Sequence, residues 1–146
     1  MPITRCTEQS GDSLEEFYQL ISENKAYDRT GVGDAMLQLL EAMNNLFKQT
    51  QLWGVTSHAR LILVNANDTS SNWYVTVSSV GSGAGYAFYR IDYLLPLAKR
   101  PWQYAQVTGE VDTLAQAINH VLIAMRESEG WVGNEELTRL LSERNL

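Results

Sequence analysis

A chain of 146 residues, 45% hydrophobic and 19% charged with only three prolines, is long enough to bury a core without staples and too apolar to stay disordered. The net charge of −6 and sequence pI of about 4.8 argue against a nucleic-acid partner, because an acidic surface repels phosphate backbones. Cys6 is the single cysteine, which excludes an internal disulfide and a thiolate zinc site.

No stretch reaches the roughly 18 apolar residues of a membrane span, and the first ten residues contain no apolar run of a signal peptide. A cytoplasmic protein is expected. The reading is of one domain over residues 1–146, with no linker and no internal repeat, and residues 1–11 are expected to be loosely held.

Helix signals open the chain. Ser13-Leu14-Glu15-Glu16 reads as a capping box, followed by Leu14, Phe17, Tyr18 and Ile21 at helical spacing. This helix is expected to run to about Lys25. Tyr27 to Gly33 reads as a turn. Asp34 is expected to cap a second helix, with Met36, Leu39, Leu40, Met43, Leu46 and Phe47 on one face. Together the two predict an N-terminal helical hairpin.

The middle of the chain changes period. His58–Val64, Trp73–Ser78 and Tyr86–Tyr93 are rich in Val, Ile and aromatic residues, and the second of them alternates cleanly. They predict three antiparallel strands, with Gln103 to Thr108 as a possible fourth. Gly81 to Gly85 joins two of these strands. A phosphate cradle there would need a helix after the loop, and strand-like sequence follows instead, so a hairpin loop is the expectation.

Two further helices close the chain. Thr113-Leu114-Ala115-Gln116 is a second capping box, opening a helix with Leu114, Ala117, Ile118, Val121, Leu122 and Met125 on one face. After it, Trp131 and Val132 are expected to fold back and pack. Asn134 is expected to cap a short last helix carrying Glu135 and Glu136 in its first turn. The predicted fold class is α+β: a helical hairpin, a three- to four-stranded antiparallel sheet, and C-terminal helices packed on one sheet face.

No catalytic or cofactor motif stands out, and an enzyme is not expected. His58 and His120 have no ligand-spaced partners; His120 falls off the apolar stripe of its helix and is expected to be solvated. Cys6 has nothing to fix its geometry as a nucleophile. Arg60 and Arg90, with Tyr86 beside them, form a charged patch if they share the open sheet face; a solvated ion-paired surface is the plain reading, and a site for an anionic small molecule the functional one.

The remaining candidates are binding residues. Arg100 and Trp102 lie in a proline-bracketed loop and are types enriched at interface hot spots, although Trp102 would also serve to cover a core edge. Glu110, Asp112, Glu127, Glu129, Glu135 and Glu136 flank the C-terminal helices, where acids suit helix starts and solvated faces but also complement a basic surface. Residues 1–50 and 106–146 each carry a balance of −4, and residues 51–105 one of +2. The leading expectation is a non-catalytic module that binds a basic protein, of the character of an immunity protein against a toxin nuclease or of a secretion chaperone. The alternative is a small-ligand site or enzyme on the open sheet face. A homodimer burying that face is a third possibility.

Overall fold

The computed structural model describes residues 2–24, 30–71, 74–81 and 86–146. Its class is α+β, with four α-helices and a six-stranded mixed sheet. The strands are β1 (Thr4–Arg5), β2 (Trp53–Ser57), β3 (Arg60–Val64), β4 (Tyr74–Gly81), β5 (Ala87–Leu94) and β6 (Gln106–Val111). The helices are α1 (Leu14–Glu23), α2 (Val32–Leu46), α3 (Leu114–Glu127) and α4 (Glu135–Glu143).

Strand order in the sheet follows the chain from β1 to β6. β2 to β6 form an antiparallel meander, and β1 lies parallel to β2 at the opposite edge. The expectation of three or four antiparallel strands was too small. It missed β1 and β2, and the strand expected over Gln103 to Thr108 begins three residues later and runs on to Val111.

β2 escapes notice because Gly54 is its second residue, and glycine inside a strand normally weakens it. Here a Cβ at Gly54 would stand 2.9 Å from Leu14 Cδ1 and 3.1 Å from Leu61 Cδ1, so the position has no room for a side chain. His58 does not start a strand either. With Ala59 it makes the two-residue turn between β2 and β3, closed by the Ser57–Arg60 pair, and its φ is +55°. Trp73, read as the start of a strand, and Ser82 to Gly85 of the glycine loop lie outside the described residues, as does Lys25.

Residues 2–11 are tied to the sheet rather than loosely held. Ile3 and Cys6 are buried, and Cys6 N–H donates to Gly54 O at 2.8 Å. Gln9 then binds both backbone groups of Thr56: its Nε2 donates to Thr56 O at 2.7 Å, and its Oε1 accepts from Thr56 N–H at 2.8 Å. These bonds carry the parallel edge past the two residues of β1. Burial also pushes the Cys6 thiol above its ordinary pKa, the opposite of what a nucleophile requires.

α1 and α2 run antiparallel, lying in the chain between β1 and the rest of the sheet rather than opening the fold. Ser13 caps α1, its Oγ accepting from Glu16 N–H at 3.2 Å. α2 is capped by Gly31 at φ +80°, not by Asp34, which lies inside the first turn and accepts from Ser22 Oγ. The helices meet closely at Gly33.

The core lies between one face of the sheet and the helices. Leu61, Leu63, Val75, Val77 and Ile91 face the helix layer, where α2 and α3 cover β4 and β5 with Met36, Leu39, Leu40, Met43, Ala117, Val121, Leu122 and Met125, and Leu14 of α1 meets Leu61 around Gly54. α3 starts with the full capping box of Thr113 and Gln116. α4 packs on α3 rather than on the sheet. Trp131 is buried as expected, whereas Val132 is 80% exposed. His120 is half-buried, not solvated: its ring fills the space left by Gly109, where a Cβ would stand 2.8 Å from His120 Cδ2. No described helix is long and apolar enough to cross a membrane.

A Cβ at Gly33 would stand 2.5 Å from the backbone nitrogen of Ser22, so an added methyl forces the α1 and α2 backbones apart. Gly33→Ala is therefore expected to lower stability by about 1–3 kcal/mol, read as a lower urea midpoint at unchanged slope.

Candidate functional site

Residues 95–105 form a closed loop between β5 and β6. Leu95 N–H donates to Ala105 O at 3.0 Å, fastening its two ends. Arg100 Nε donates to Leu95 O at 2.6 Å across its middle, and Lys99 Nζ lies 3.2 Å from Glu129 Oε1 at the end of α3. A short 3-10 turn, Leu97–Lys99, follows Pro96, whose fixed φ suits its start. Arg100 is thus a brace within the loop.

On this braced frame stand Leu97, 80% exposed, Trp102, 72%, and Tyr104, 70%. Trp102 does not cover the core edge. Tyr104 holds φ +62°, a left-handed conformation costly for a residue with a Cβ. A cleft of about 590 Å³ beside the loop is lined by Leu95, Pro96, Leu97, Arg100, Tyr104 and Glu129 among others.

The face of the sheet away from the helices makes a second candidate. Strand register places Arg60, Ser78, Arg90 and Glu110 in one row across it, and Ile62, Thr76, Asp92 and Thr108 in the next. Arg90 pairs with Glu110 at 3.4 Å, and Thr108 Oγ1 donates to Asp92 Oδ1 at 2.5 Å. Arg60 reaches Ser57 Oγ at 3.4 Å, and among the described residues no carboxylate lies within ion-pair distance of it. A concavity of about 420 Å³ is lined by Arg60, Ile62, Tyr74, Thr76 and Asp92, under the loop residues Thr69 to Ser71. Arg90 and the exposed Tyr86 do not line it.

The predicted acids are dispersed. Glu110 lies on the open sheet face, and Asp112 is exposed just past β6. Glu127 pairs with Arg126 at 2.9 Å and Glu129 with Lys99, all half-exposed pairs that contribute little stability. Glu135 is exposed in the first turn of α4.

Glu136 leaves this set altogether. It is 4% exposed, and its carboxylate accepts from the backbone N–H groups of Lys48 at 2.8 Å, Gln49 at 3.0 Å and Thr50 at 2.9 Å. Those donors belong to the turn between α2 and β2, which no helix or strand would otherwise satisfy. A partner cannot reach this carboxylate. Local sequence offers no sign of the capture, because donors and acceptor are 86 to 88 residues apart.

Among the described residues no group of three His, Cys, Asp or Glu side chains could hold a metal ion. Comparison with protein-family models, curated proteins and solved structures returns no match. Function is therefore argued from the sites alone.

Burial raises the Glu136 carboxyl pKa, but the hydrogen bonds from Lys48, Thr50 and Gln49 outweigh it and hold the value below the ordinary 4.5. A group depressed on folding stabilises fully above its unfolded pKa and loses that contribution as pH falls through the folded value. Glu136→Gln is expected to cost about 1–3 kcal/mol at pH 7. In thermal melts the gap from wild type should narrow as the pH is taken below 4.5.

Proposed function

We propose that this chain is a non-catalytic binding module for a basic protein, with the 95–105 loop as its anchor. The observation that carries this reading is the exposure of Leu97, Trp102 and Tyr104 on one hydrogen-bonded loop. Three large apolar side chains left in water within eight residues add nothing to the core. A loop already held in shape loses little entropy when it docks. The backbone strain at Tyr104 belongs with this reading, since strain gathers where a surface must be presented in a set form.

Charge selects the partner. At −6 the chain attracts a cationic protein over a distance of about one Debye length, roughly 8 Å in physiological salt. Asp112 and Glu135, exposed and in no ion pair among the described residues, contribute to that field, whereas Glu110, Glu127 and Glu129 are already paired with Arg90, Arg126 and Lys99. Neutralising a toxin such as a nuclease, or escorting a secreted protein, is the form such an activity would take.

A second reading attaches to Arg60, whose guanidinium stands in the open-face concavity unpaired with any described carboxylate. A small anion would bind there, and Arg60→Ala would abolish a thermal shift produced by it.

The first reading is tested by capture with the tagged chain from its source cells. Wild type is expected to retain one dominant basic protein, and Trp102→Ala to weaken that complex by about thirtyfold, as a central aromatic anchor does. The melting temperature should not move, because Trp102 is 72% exposed. Equal retention by both forms, or retention of nothing above background, would sink the proposal.

A further inference from the structure

β6 is the last strand of the sheet, paired with β5 on one side and with no described strand on the other. The register tells which of its backbone groups face outward. Leu95 N–H bonds Ala105 O, and these residues stand directly opposite each other at the end of the ladder that runs from Tyr89–Val111 to Leu94–Gln106. In antiparallel pairing, hydrogen-bonded and non-bonded pairs alternate. Val107, Gly109 and Val111 therefore spend their N–H and C=O groups on β5. Gln106, Thr108 and Glu110 aim theirs away from the sheet, as a row of donors and acceptors about 14 Å long.

Sheets usually blunt such an edge with proline, charged side chains (lysine above all), a bulge or a covering segment, and of these β6 has only the charge of Glu110, itself paired with Arg90. β6 has no proline and no lysine, its ladder runs without a bulge, and Gln106, Val107, Thr108 and Glu110 are all exposed. Its outer edge begins directly after the loop that carries Trp102 and Tyr104.

We infer that β6 receives an extended segment of the basic partner as a seventh strand. The inference rests on the binding-module reading and adds the manner in which the partner is held. Main-chain pairing supplies attraction, and alternate side chains supply selection. On the open face the segment lies beside Gln106, Thr108 and Glu110. On the helix side it lies beside Val107, which is 40% exposed, and Gly109. Residues 101–125 hold two acids, Glu110 and Asp112, and no lysine or arginine. The segment that fits alternates basic and apolar residues. A second copy of the chain fits less well, because it would bring Glu110 and Asp112 of two chains, each of charge −6, along one junction.

The test uses the full chain, labelled with ¹⁵N, and a capped octapeptide of alternating Arg and Val. Its control replaces each Val with Pro, keeping the charge but unable to pair as a strand. The Arg-Val peptide is expected to shift the amides of Gln106, Thr108 and Glu110 and to slow their exchange with deuterium by at least about tenfold. The proline control should do neither. Thr108→Pro removes one outward donor without touching the β5 ladder, and should weaken the peptide by about tenfold. Thr108→Val keeps the N–H and should bind as wild type does.

If the peptide shifts the Trp102 indole and its loop but leaves the β6 amides unmoved, strand addition is wrong while the binding reading stands. If neither responds, the inference fails, and the capture experiment alone decides the binding reading. If the free protein is a dimer by light scattering with those amides already protected, the edge belongs to a second copy and the inference is overturned.

Discussion

The sheet is covered on one side only, and that constraint organises the molecule. The helices bury Leu61, Leu63, Val75, Val77 and Ile91, which alternate along their strands with residues pointing the other way. A period of two therefore commits Arg60, Ser78, Arg90 and Glu110 to the face without helices. The helix layer is itself supported from outside. α1 leans on α2 through the close approach at Gly33, and α4 is fastened by the Glu136 carboxylate to the turn that leads from α2 into β2. Removing that carboxylate would strand three backbone donors rather than a surface charge.

The same one-sidedness separates two sorts of exposed group. The open face mixes the paired groups Arg90 on Glu110 and Thr108 on Asp92 with apolar side chains such as Val55, Ile62, Val80 and Phe88, which are half-buried among their neighbours. The 95–105 loop is apolar and unpaired at its tip, yet rigid at its base. Paired charges in water contribute little to stability or affinity, whereas a preorganised aromatic side chain has most of its binding potential unspent. This contrast places the loop ahead of the face as a docking element. The acids are spread around the surface rather than gathered, so their effect on a partner is that of a field rather than a lock.

Much of this fold is legible in the sequence wherever the signal is local. The alternation of Val75, Thr76 and Val77, the stripe from Met36 to Met43 and the capping box at Thr113 each report a structure made by near neighbours. What stays hidden is set by distant ones. β1 has two residues and so no period at all. Gly54 looks like a strand breaker until Leu14 is seen against it. Glu135 and Glu136 read as equivalent acids at a helix start, and only the packing of α4 against a turn far back in the chain tells them apart. At the candidate site, composition marked Trp102 and register marked Arg60 and Arg90. The exposure of the first and the separation of Arg90 from the concavity depend on where whole loops lie.

The order of strands also bears on how the chain reaches this state. Each pairing from β2 to β6 joins strands that are neighbours in sequence, so this meander closes no stretch of chain longer than the 95–105 loop. Two closures are different in kind. β1 must find β2 across α1 and α2, and Glu136 must find Lys48 to Thr50 across almost the whole sheet. Each closes a far longer stretch of chain than any turn of the meander, at a correspondingly larger cost in loop entropy. β1 and Glu136 are thus clasps between segments far apart in the chain, unlike the local hairpins they close around.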